Sequence, residues 1–188
     1  GFRSDHLMMA SVRLPEERYD KGKRSAFYTD VLERVRSLPG VQAVSTAEHT
    51  PLGYNNETEQ VFPEATTAPD AEQGVRFFFN TVSPGFFRAI GTPLLAGRDF
   101  SARDDSTAPR VAIVSRAFAE RFWSGESAIG RRFRFAKDGP TLAIVGIAKD
   151  AQYMNLGEVP RPFIYLSTTQ GYPTRLTLFV HTTGDPEG

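Results

Sequence analysis

Histidines, carboxylates and one serine are the residues of this sequence with the clearest potential for chemistry. The three histidines, His6, His49 and His181, are far apart, and no two have the four-residue helical spacing that places two imidazoles on one metal ion. Glu48 directly precedes His49, and such a pair could act as an acid–base couple. Because neighbouring strand residues point to opposite faces, we interpret all three histidines as ordinary hydrogen-bonded side chains.

Asp99, Asp104 and Asp105 form the densest acidic cluster. Their spacing lacks the alternating oxygen ligands and the central glycine of a calcium loop. Paired catalytic carboxylates converge from separate strands, so proximity along the chain does not indicate such a pair. We interpret the cluster as a solvated turn with local side-chain caps.

Ser115 follows an apolar run and opens a helical pattern, as a nucleophile does at a strand-to-helix turn. The flanking glycines that this strained turn requires are absent, so we interpret Ser115 as a helix cap. The glycine-rich nucleotide motifs G-x-G-x-x-G and G-x-x-x-x-G-K-[ST] are also absent. The sequence therefore predicts no catalytic, cofactor-binding or metal-binding residues and favours a binding or structural module.

A small basic patch alternates with phenylalanines at Arg131, Arg132 and Arg134. Its simplest interpretation is an amphipathic strand with an exposed charged face. The alternative is contact with acidic lipid head groups or with a partner protein. Trp123 ends an apolar helix face and is interpreted as a core residue rather than a ligand platform.

The composition excludes several classes of protein. The chain has 188 residues, 22 Lys and Arg against 22 Asp and Glu, and no cysteine. Zero net charge argues against a nucleic-acid partner, and the lack of cysteine excludes disulfides and iron–sulfur clusters. The longest uncharged apolar run, residues 141–148, falls far short of the roughly 20 residues that a membrane-spanning helix needs. Because Gly1 stands in place of an initiator methionine, we expect the chain to be a piece of a larger protein.

The first 50 residues predict one β-α-β unit. Strands are expected over 6–14 and 41–46, around a helix from Asp20 to about Leu38 that Pro39 and Gly40 terminate. Residues 51–75 then carry five carboxylates, no lysine or arginine and three prolines, which predicts a long exposed segment. The helix is expected to bury one apolar face, formed by Phe27, Tyr28, Val31, Leu32, Val35 and Leu38.

The remaining residues predict a mixed α+β arrangement. The pattern predicts a short helix that Ser83 and Pro84 open, and a longer one that Ser115 caps. Residues 131–136 and 141–148 are expected to pair as a hairpin through the turn at 137–140. Further strands or extended segments are expected over 75–82, 92–96, 111–114, 163–167 and 175–182.

The order and spacing of several segments resemble the extracytoplasmic core domain of MacB/FtsX-like ABC transporter permeases. The similarity covers nearly the whole chain, is densest over residues 82–150, and is strongest to the duplicated permeases common in acidobacteria. The segments that carry it are Leu38-Pro-Gly-Val41, Pro51-Leu52, Val82-Ser-Pro-Gly-Phe-Phe87, Ile90-Gly-Thr-Pro-Leu-Leu-Ala-Gly-Arg-Asp-Phe100 with Asp104-Asp105, Val111-Ala-Ile-Val-Ser115, Arg121-Phe-Trp123, Ile129-Gly-Arg-Arg-Phe133, Ile144-Val-Gly-Ile-Ala-Lys-Asp150 and Gly184-Asp-Pro186.

The resemblance implies an α+β fold of two lobes. A porter-like β-α-β lobe would begin with residues 1–50, and a smaller inserted mixed αβ lobe, called sabre-like, would span 51–168. Residues 169–188 would return a strand to the first lobe. In relatives, Gly-Asp-Pro opens a further helix and strand, so we expect the porter-like lobe to be truncated at its C-terminus and to leave an exposed sheet edge.

The resemblance also implies a function outside the cytoplasmic membrane. The domain would be non-catalytic, without cofactors, and would couple ATP hydrolysis to the handling of a substrate or partner in the periplasm. Its partners would be transmembrane helices of its own polypeptide, a cytoplasmic ABC ATPase and a periplasmic adaptor or substrate protein. The isolated domain is expected to be a monomer.

Hinges are expected near residues 50 and 168, and the acidic stretch 54–72 is expected to be a mobile contact element. The candidate contact residues are Glu57, Glu59, Phe77, Phe79, Arg131, Arg132 and Arg134.

Two other functions remain open from the residues alone. A soluble module could bind a peptide or lipid through Phe77–Phe79 and the arginine patch, and it would need a deep apolar pocket with convergent polar groups. A hydrolase would require Asp99, Asp104, Ser115 or His49 to converge into one catalytic site.

Overall fold

The computed structural model describes residues 6–50, 57–150, 161–171 and 173–183. Within these ranges, no helix is long and apolar enough to cross a membrane. The fold is α+β, as predicted, and strands dominate it. The strands are β1 Leu7–Arg13, β2 Val41–Ala47, β3 Thr58–Pro63, β4 Val75–Val82, β5 Leu94–Gly97, β6 Val111–Ser115, β7 Arg132–Arg134, β8 Leu142–Ala148, β9 Phe163–Ser167 and β10 Arg175–Thr182; the helices are α1 Lys21–Arg36, α2 Phe86–Ala89 and α3 Arg116–Trp123, with a 3₁₀ turn at Thr168–Gln170.

Three strands form an antiparallel sheet in the order β1, β10, β2, which we call the three-strand sheet. Helix α1 packs against it and begins after Asp20, whose side chain accepts a hydrogen bond from the Lys23 amide at 2.9 Å. Tyr28 is buried and donates its hydroxyl hydrogen to the Val12 carbonyl at 3.2 Å. The predicted β-α-β unit is therefore present, with β1 and β2 separated by β10.

The predicted apolar face of α1 is only partly covered. Tyr28 is fully buried, but Val31, Leu32 and Val35 are half-buried. Leu38 follows the helix and is 55% exposed. The six positions therefore do not form one fully buried face, since Tyr28 is the only buried residue among them.

Six strands close on themselves in the order β4, β3, β7, β8, β6, β9 and back to β4, and we call them the strand ring. Closure leaves no free edge within this circuit, which protects it from pairing with other chains. Strand β5 also pairs with β8, on the same side as β7. The ring therefore has one additional strand that is not part of the closed circuit. The predicted hairpin of β7 and β8 is confirmed by their antiparallel register.

The core of the strand ring forms against α3. Its largest buried side chains include Phe118, Phe133, Ile144 and Ile164, each at most 1% exposed. The Phe118 and Phe122 rings meet Phe77 edge-on, with centroids 5.1 and 5.6 Å away. The prediction for Trp123 is confirmed, since it is 4% exposed and donates its ring N–H to the Ala65 carbonyl.

The expectation of an exposed segment over 51–75 is wrong for its described part. Residues 51–56 lie outside the described ranges, but Thr58–Pro63 forms β3 inside the strand ring, with Val61 fully buried. The carboxylates of this segment pair with arginines from other elements: Glu64 with Arg134 and Asp70 with Arg121. A segment without basic residues can therefore be ordered by arginines elsewhere in the chain.

The start of α2 also differs from its prediction. The helix is preceded by Gly85, whose φ of 85° lies in the left-handed region that glycine tolerates. Ser83 does not cap it, because its hydroxyl oxygen accepts a hydrogen bond from the Thr46 amide instead. Gly85 occupies the N-cap position, and its amide donates to a carboxylate oxygen of Asp99 at 3.1 Å.

Candidate functional site

The three-strand sheet meets the strand ring where β2 and β4 end, and we call this the junction, residues 46–49 and 80–83. Ala47 and Val82 are the register partners there. Ser83 and Thr46 exchange two hydrogen bonds of 2.8 Å, one through the Ser83 hydroxyl and one between backbones. The Glu48 amide donates to the Thr81 carbonyl at 2.9 Å. The sheet pairing is short, but these polar contacts extend it over both strand ends.

The side chain of Asn80 fixes the backbone of His49, two residues after the end of β2. It is fully buried, its Oδ1 accepts from the His49 amide at 3.0 Å, and its Nδ2 donates to the His49 carbonyl at 2.8 Å. Both backbone groups of His49 are therefore fixed to β4 by one side chain. An amide is suited to this position because it offers a donor and an acceptor together.

The chain returns toward the three-strand sheet through the 3₁₀ turn, and this crossing is also anchored. The Gln170 side chain accepts from the Val111 amide at 3.0 Å and donates to the Pro109 carbonyl at 2.9 Å. The Thr169 hydroxyl donates to the Asp104 carbonyl. The two crossings predicted as hinges are therefore both bound to the strand ring through side chains.

A polar cavity of about 580 Å³ opens beside the junction, with Glu48, His49 and Glu57 on one part of its wall and Arg13 and Arg175 on another. Glu48, His49 and Glu57 each place one side-chain ligand atom within 4.8 Å of the others. Burial raises the pKa of the Glu48 carboxyl, and the Glu57 carboxylate adds to this rise, whereas a hydrogen bond from Thr81 and the His49 charge oppose it.

The sequence-based argument that Glu48 and His49 point to opposite faces is wrong. Strand β2 ends at Ala47, so the alternation of strand side chains does not apply to the two residues that follow. Glu57 was singled out only as a contact residue, although its carboxylate lies 3.4 Å from His49 Nε2. The sequence signal available was weak: two carboxylates and a histidine on either side of a strand-to-strand connection.

The predicted contact residues are distributed over the strand ring. Glu59 is exposed on β3 and Phe79 is half-buried, with its ring 6.4 Å from that of Phe135. Phe77 is 6% exposed and contacts α3, so its assignment to a contact surface of the folded domain is wrong.

The three arginines of the basic patch have acidic partners. Arg131 pairs with Glu126, while Arg132 and Arg134 both reach Glu64, at 3.4 and 2.8 Å. The two carboxylates compensate part of the charge of the three arginines within the chain itself. An anionic partner would therefore have to compete with the carboxylates already in place.

The acidic cluster contains three different environments. Asp105 is exposed and accepts from the Thr107 amide and hydroxyl, as a local cap should. Asp99 accepts from the Gly85 and Phe100 amides, and burial raises its pKa. Asp104 is buried and receives two 2.7 Å hydrogen bonds from Arg98, which holds its pKa below the ordinary value. The interpretation as a solvated turn therefore holds for Asp105 and is wrong for Asp104.

Ser115 has the predicted structural role. Its hydroxyl oxygen accepts from the Phe118 amide at 3.3 Å, which caps α3, and from the Phe163 amide at 3.0 Å on β9. The residue is 1% exposed. A serine oxygen that holds two amides in the core is not available to attack a substrate, so the described residues do not support the hydrolase alternative through Ser115.

Comparison with solved structures shows that the fold is shared with extracytoplasmic domains of transporters. The extracellular domain of the noncanonic ABC-type transporter YknZ from Gram-positive bacteria aligns over 95% of this chain and 84% of its own, with a TM-score of 0.56 and 13% identity. The periplasmic region of MacB from Actinobacillus actinomycetemcomitans aligns over 97% and 78%, with a TM-score of 0.58 and 10% identity. A domain of a putative permease protein from Porphyromonas gingivalis aligns over 98% and 79%, with a TM-score of 0.54 and 16% identity.

The family is shown by the sequence itself. The chain belongs to the MacB-like periplasmic core domain family, whose profile matches residues 2–185. It is accordingly an extracytoplasmic domain of a membrane-anchored ABC transporter permease, as the resemblance predicted. Comparison with curated proteins gives no significant match.

Proposed function

We propose that this domain carries motion, driven by ATP hydrolysis on the cytoplasmic side, from the membrane to a substrate or partner protein outside it, without performing catalysis. The observation that supports this most directly is the connectivity of the described residues. The first and last strands, β1 and β10, both belong to the three-strand sheet. The strand ring lies between them in the sequence and joins that sheet through the junction and the anchored 3₁₀ turn.

Transmission of motion requires stiff units and a defined connection between them. The proposal divides the chain into a porter-like lobe, residues 1–50 and 169–188, and an inserted sabre-like lobe, residues 51–168. Transmembrane helices on either side of the chain would then act on the porter-like lobe first. Motion would reach the inserted lobe through Asn80, Ser83 and Gln170, because these side chains link backbone groups across the two crossings.

The partners follow from the same proposal. The domain would work with transmembrane helices of its own polypeptide and with a cytoplasmic ABC ATPase, while a periplasmic adaptor or substrate protein would contact the inserted lobe. The remaining candidates for that contact are exposed Glu57 and Glu59, half-buried Phe79 and the paired arginines Arg131, Arg132 and Arg134. The excised domain alone is proposed to be a monomer.

A small-molecule binding module is less well supported by the cavities. The apolar cavity lined by Val111, Leu142 and Leu166 measures about 200 Å³, which is below the roughly 300–1,000 Å³ of typical ligand pockets. The larger cavity beside the junction is lined mainly by charged and hydroxyl side chains. The first cavity is therefore too small for a typical ligand, and the second lacks the apolar wall that this alternative requires.

Hydrogen exchange in the full-length permease with its ATPase would test the proposal. We expect that trapping the ATP-bound state changes amide exchange both in β10, residues 175–182, and in the strand ring, residues 111–118. Asn80→Ala should keep the ATPase rate and the response of β10 but weaken the response of the ring, because it releases both backbone groups of His49 while the Ser83 and Gln170 links remain.

Gln60→Ala is the matched control. It also removes an amide side chain from the sheet, but Gln60 is exposed and its side chain donates only to the nearby Gln73 carbonyl. The control should behave like the native protein. An ATP-dependent response in neither segment of the native permease, or an unchanged ring response in Asn80→Ala, would refute transmission through the junction.

A further inference from the structure

Two side-chain atoms of the junction, Thr46 Oγ1 and His49 Nε2, are buried and make no hydrogen bond within the described residues, and His49 is the one of the two that lies among carboxylates. Its nearest ionic neighbour is Glu57 Oε2 at 3.4 Å, which is longer than the 2.7–3.2 Å of an N–H···O hydrogen bond. The Glu48 carboxylate completes a group of three ligand atoms that all lie within 4.8 Å of one another. The imidazole is therefore directed at two carboxylates without being hydrogen-bonded to either at ideal length.

The distance between His49 Nε2 and Glu57 Oε2 can be compared with the distance between two ligand atoms of a zinc ion. In a tetrahedral zinc site, with Zn–N and Zn–O bonds of about 2.0–2.2 Å, neighbouring ligand atoms are about 3.4 Å apart. The distance between His49 Nε2 and Glu57 Oε2 matches that edge. A pair optimised as a hydrogen bond would be shorter, and a pair of unrelated side chains would have no reason to leave the imidazole nitrogen buried and unbonded.

The ligands are also positioned by the fold. Asn80 fixes the backbone of His49 on both sides, and the Glu48 amide is bound to Thr81. Glu57 directly precedes β3, which is paired with β4 in the strand ring. Two ligands thus come from directly after β2 and the third from directly before β3. Both of these strands pair with β4.

We propose that Glu48, His49 and Glu57 form a zinc-binding site with one imidazole, two carboxylates and a fourth position left for water. This inference does not depend on the proposed function. Neutral imidazole with carboxylates suits zinc, whereas magnesium and calcium prefer oxygen ligands alone. The two carboxylates supply the two negative charges that neutralise the ion.

Two positively charged side chains of the cavity oppose the binding of every divalent ion to the same extent. Arg13 and Arg175 line the same cavity and repel any cation. Zinc bonds well to an imidazole nitrogen, whereas magnesium and calcium prefer oxygen ligands, so the His49 ligand favours zinc. Binding should therefore be selective, with zinc retained in the presence of a large excess of magnesium or calcium.

Zinc titration of the 188-residue chain by calorimetry, with Zn²⁺ alone as the probe, would test the site. One ion should bind per chain in the presence of millimolar magnesium. His49→Ala and Glu57→Gln should each weaken zinc binding by about 100-fold or more, since loss of even a residue that merely supports a ligand costs 10–100-fold. At a zinc concentration 100 times the dissociation constant, the melting temperature should rise by about 5–10 °C.

Two control variants are matched in residue type. His181→Ala removes a histidine on β10, and Glu59→Gln removes an exposed carboxylate two residues from Glu57. Both should bind zinc as the native chain does. Long-range ¹H–¹⁵N spectra would show which imidazole binds, because the chain has three histidines and zinc should shift only that of His49.

Glu57→Gln also separates a loss of zinc binding from a loss of folding. The Glu57 side chain is 59% exposed, so Glu57→Gln should fold even if His49→Ala does not. Its unfolding without zinc should remain a single cooperative transition, as in the native chain. The absence of zinc binding in the native chain, binding that persists in Glu57→Gln, or an equal loss in His181→Ala would each overturn the proposal.

Discussion

The ion pair between Arg98 and Asp104 is expected to stabilise the loop after β5 by an amount that can be measured. The Asp104 side chain is 7% exposed, and Arg98 donates to both of its oxygens at 2.7 Å. The Ser101 amide and hydroxyl also donate to Oδ2, at 2.8 and 3.0 Å. The carboxylate therefore accepts four hydrogen bonds, two of them from a charged group.

Asp104→Asn removes the negative charge and turns one acceptor into a donor that faces the guanidinium. Breaking a fully buried ion pair costs about 3–5 kcal/mol. Arg98 is half exposed and can be solvated after the change, so we expect a smaller loss of about 2–3 kcal/mol in the free energy of unfolding. For a chain of this size, that corresponds to a decrease of about 4–12 °C in the melting temperature.

The loss should depend on pH in a defined direction. Arg98 holds the folded-state pKa of Asp104 below its ordinary value, with help from Ser101 and against the effect of burial. A carboxyl with a lowered pKa stabilises the fold fully above its unfolded-state pKa, about 3.9, and this stabilisation disappears as the pH falls through the folded-state pKa. The difference between the native chain and Asp104→Asn should therefore be constant from pH 5 to 8 and shrink below pH 4.

Urea unfolding, followed by the fluorescence of Trp123, is the appropriate assay. Trp123 is the only tryptophan in the sequence and is buried, so its emission should shift when the core opens. Asp105→Asn is the control, because Asp105 is exposed and bonds only within its own turn. A loss below about 0.5 kcal/mol for Asp104→Asn, which is the range of ordinary surface changes, would refute the reasoning. So would a loss of the same size at pH 3 and pH 7.

Three further changes should lower the urea midpoint, each for a different reason. Ser115→Ala leaves two buried amides without an acceptor and should cost about 1–3 kcal/mol. Gly97→Ala combines a φ of 75° with a Cβ placed 2.2 Å from a backbone oxygen of β8, so it should cost more than Gly125→Ala, where φ is 79° and nothing lies within 4 Å. Phe118→Ala empties a fully buried site and should cost about 3–5 kcal/mol, whereas Leu38→Ala, at an exposed position, should change little. Equal midpoints within either matched pair, or an unchanged midpoint for Ser115→Ala, would contradict these assignments.

Features that depend on neighbouring residues were predictable from the sequence. The hairpin of β7 and β8 follows from alternation around a Gly-Pro turn, and Ser115 caps α3 because a hydroxyl stands between an apolar strand and a helical pattern. Helix α1 ends near Gly40, whose φ is 81°. In each case the interacting residues are only a few positions apart, so the local sequence pattern predicts the structure.

Features that depend on distant residues were missed. Strand β3 was predicted to be exposed because its segment contains only acidic charges, yet Arg121 and Arg134 supply the compensating cations from α3 and β7. Asp104 was grouped with Asp105 because they are adjacent, although only Asp104 faces Arg98. Composition describes the charge of a segment, and it does not describe the charge that the fold places beside it.

The cluster beside the junction illustrates the same limit at the candidate site. Glu48 and His49 were judged as a pair, by a rule that applies inside strands, although β2 ends one residue before them. The third ligand, Glu57, comes from the start of the next strand and approaches His49 because β3 and β2 both pair with β4. The sequence contains all three residues within ten positions, and the pairing of two separate strands with a common neighbour brings them to a spacing that suits a metal ion.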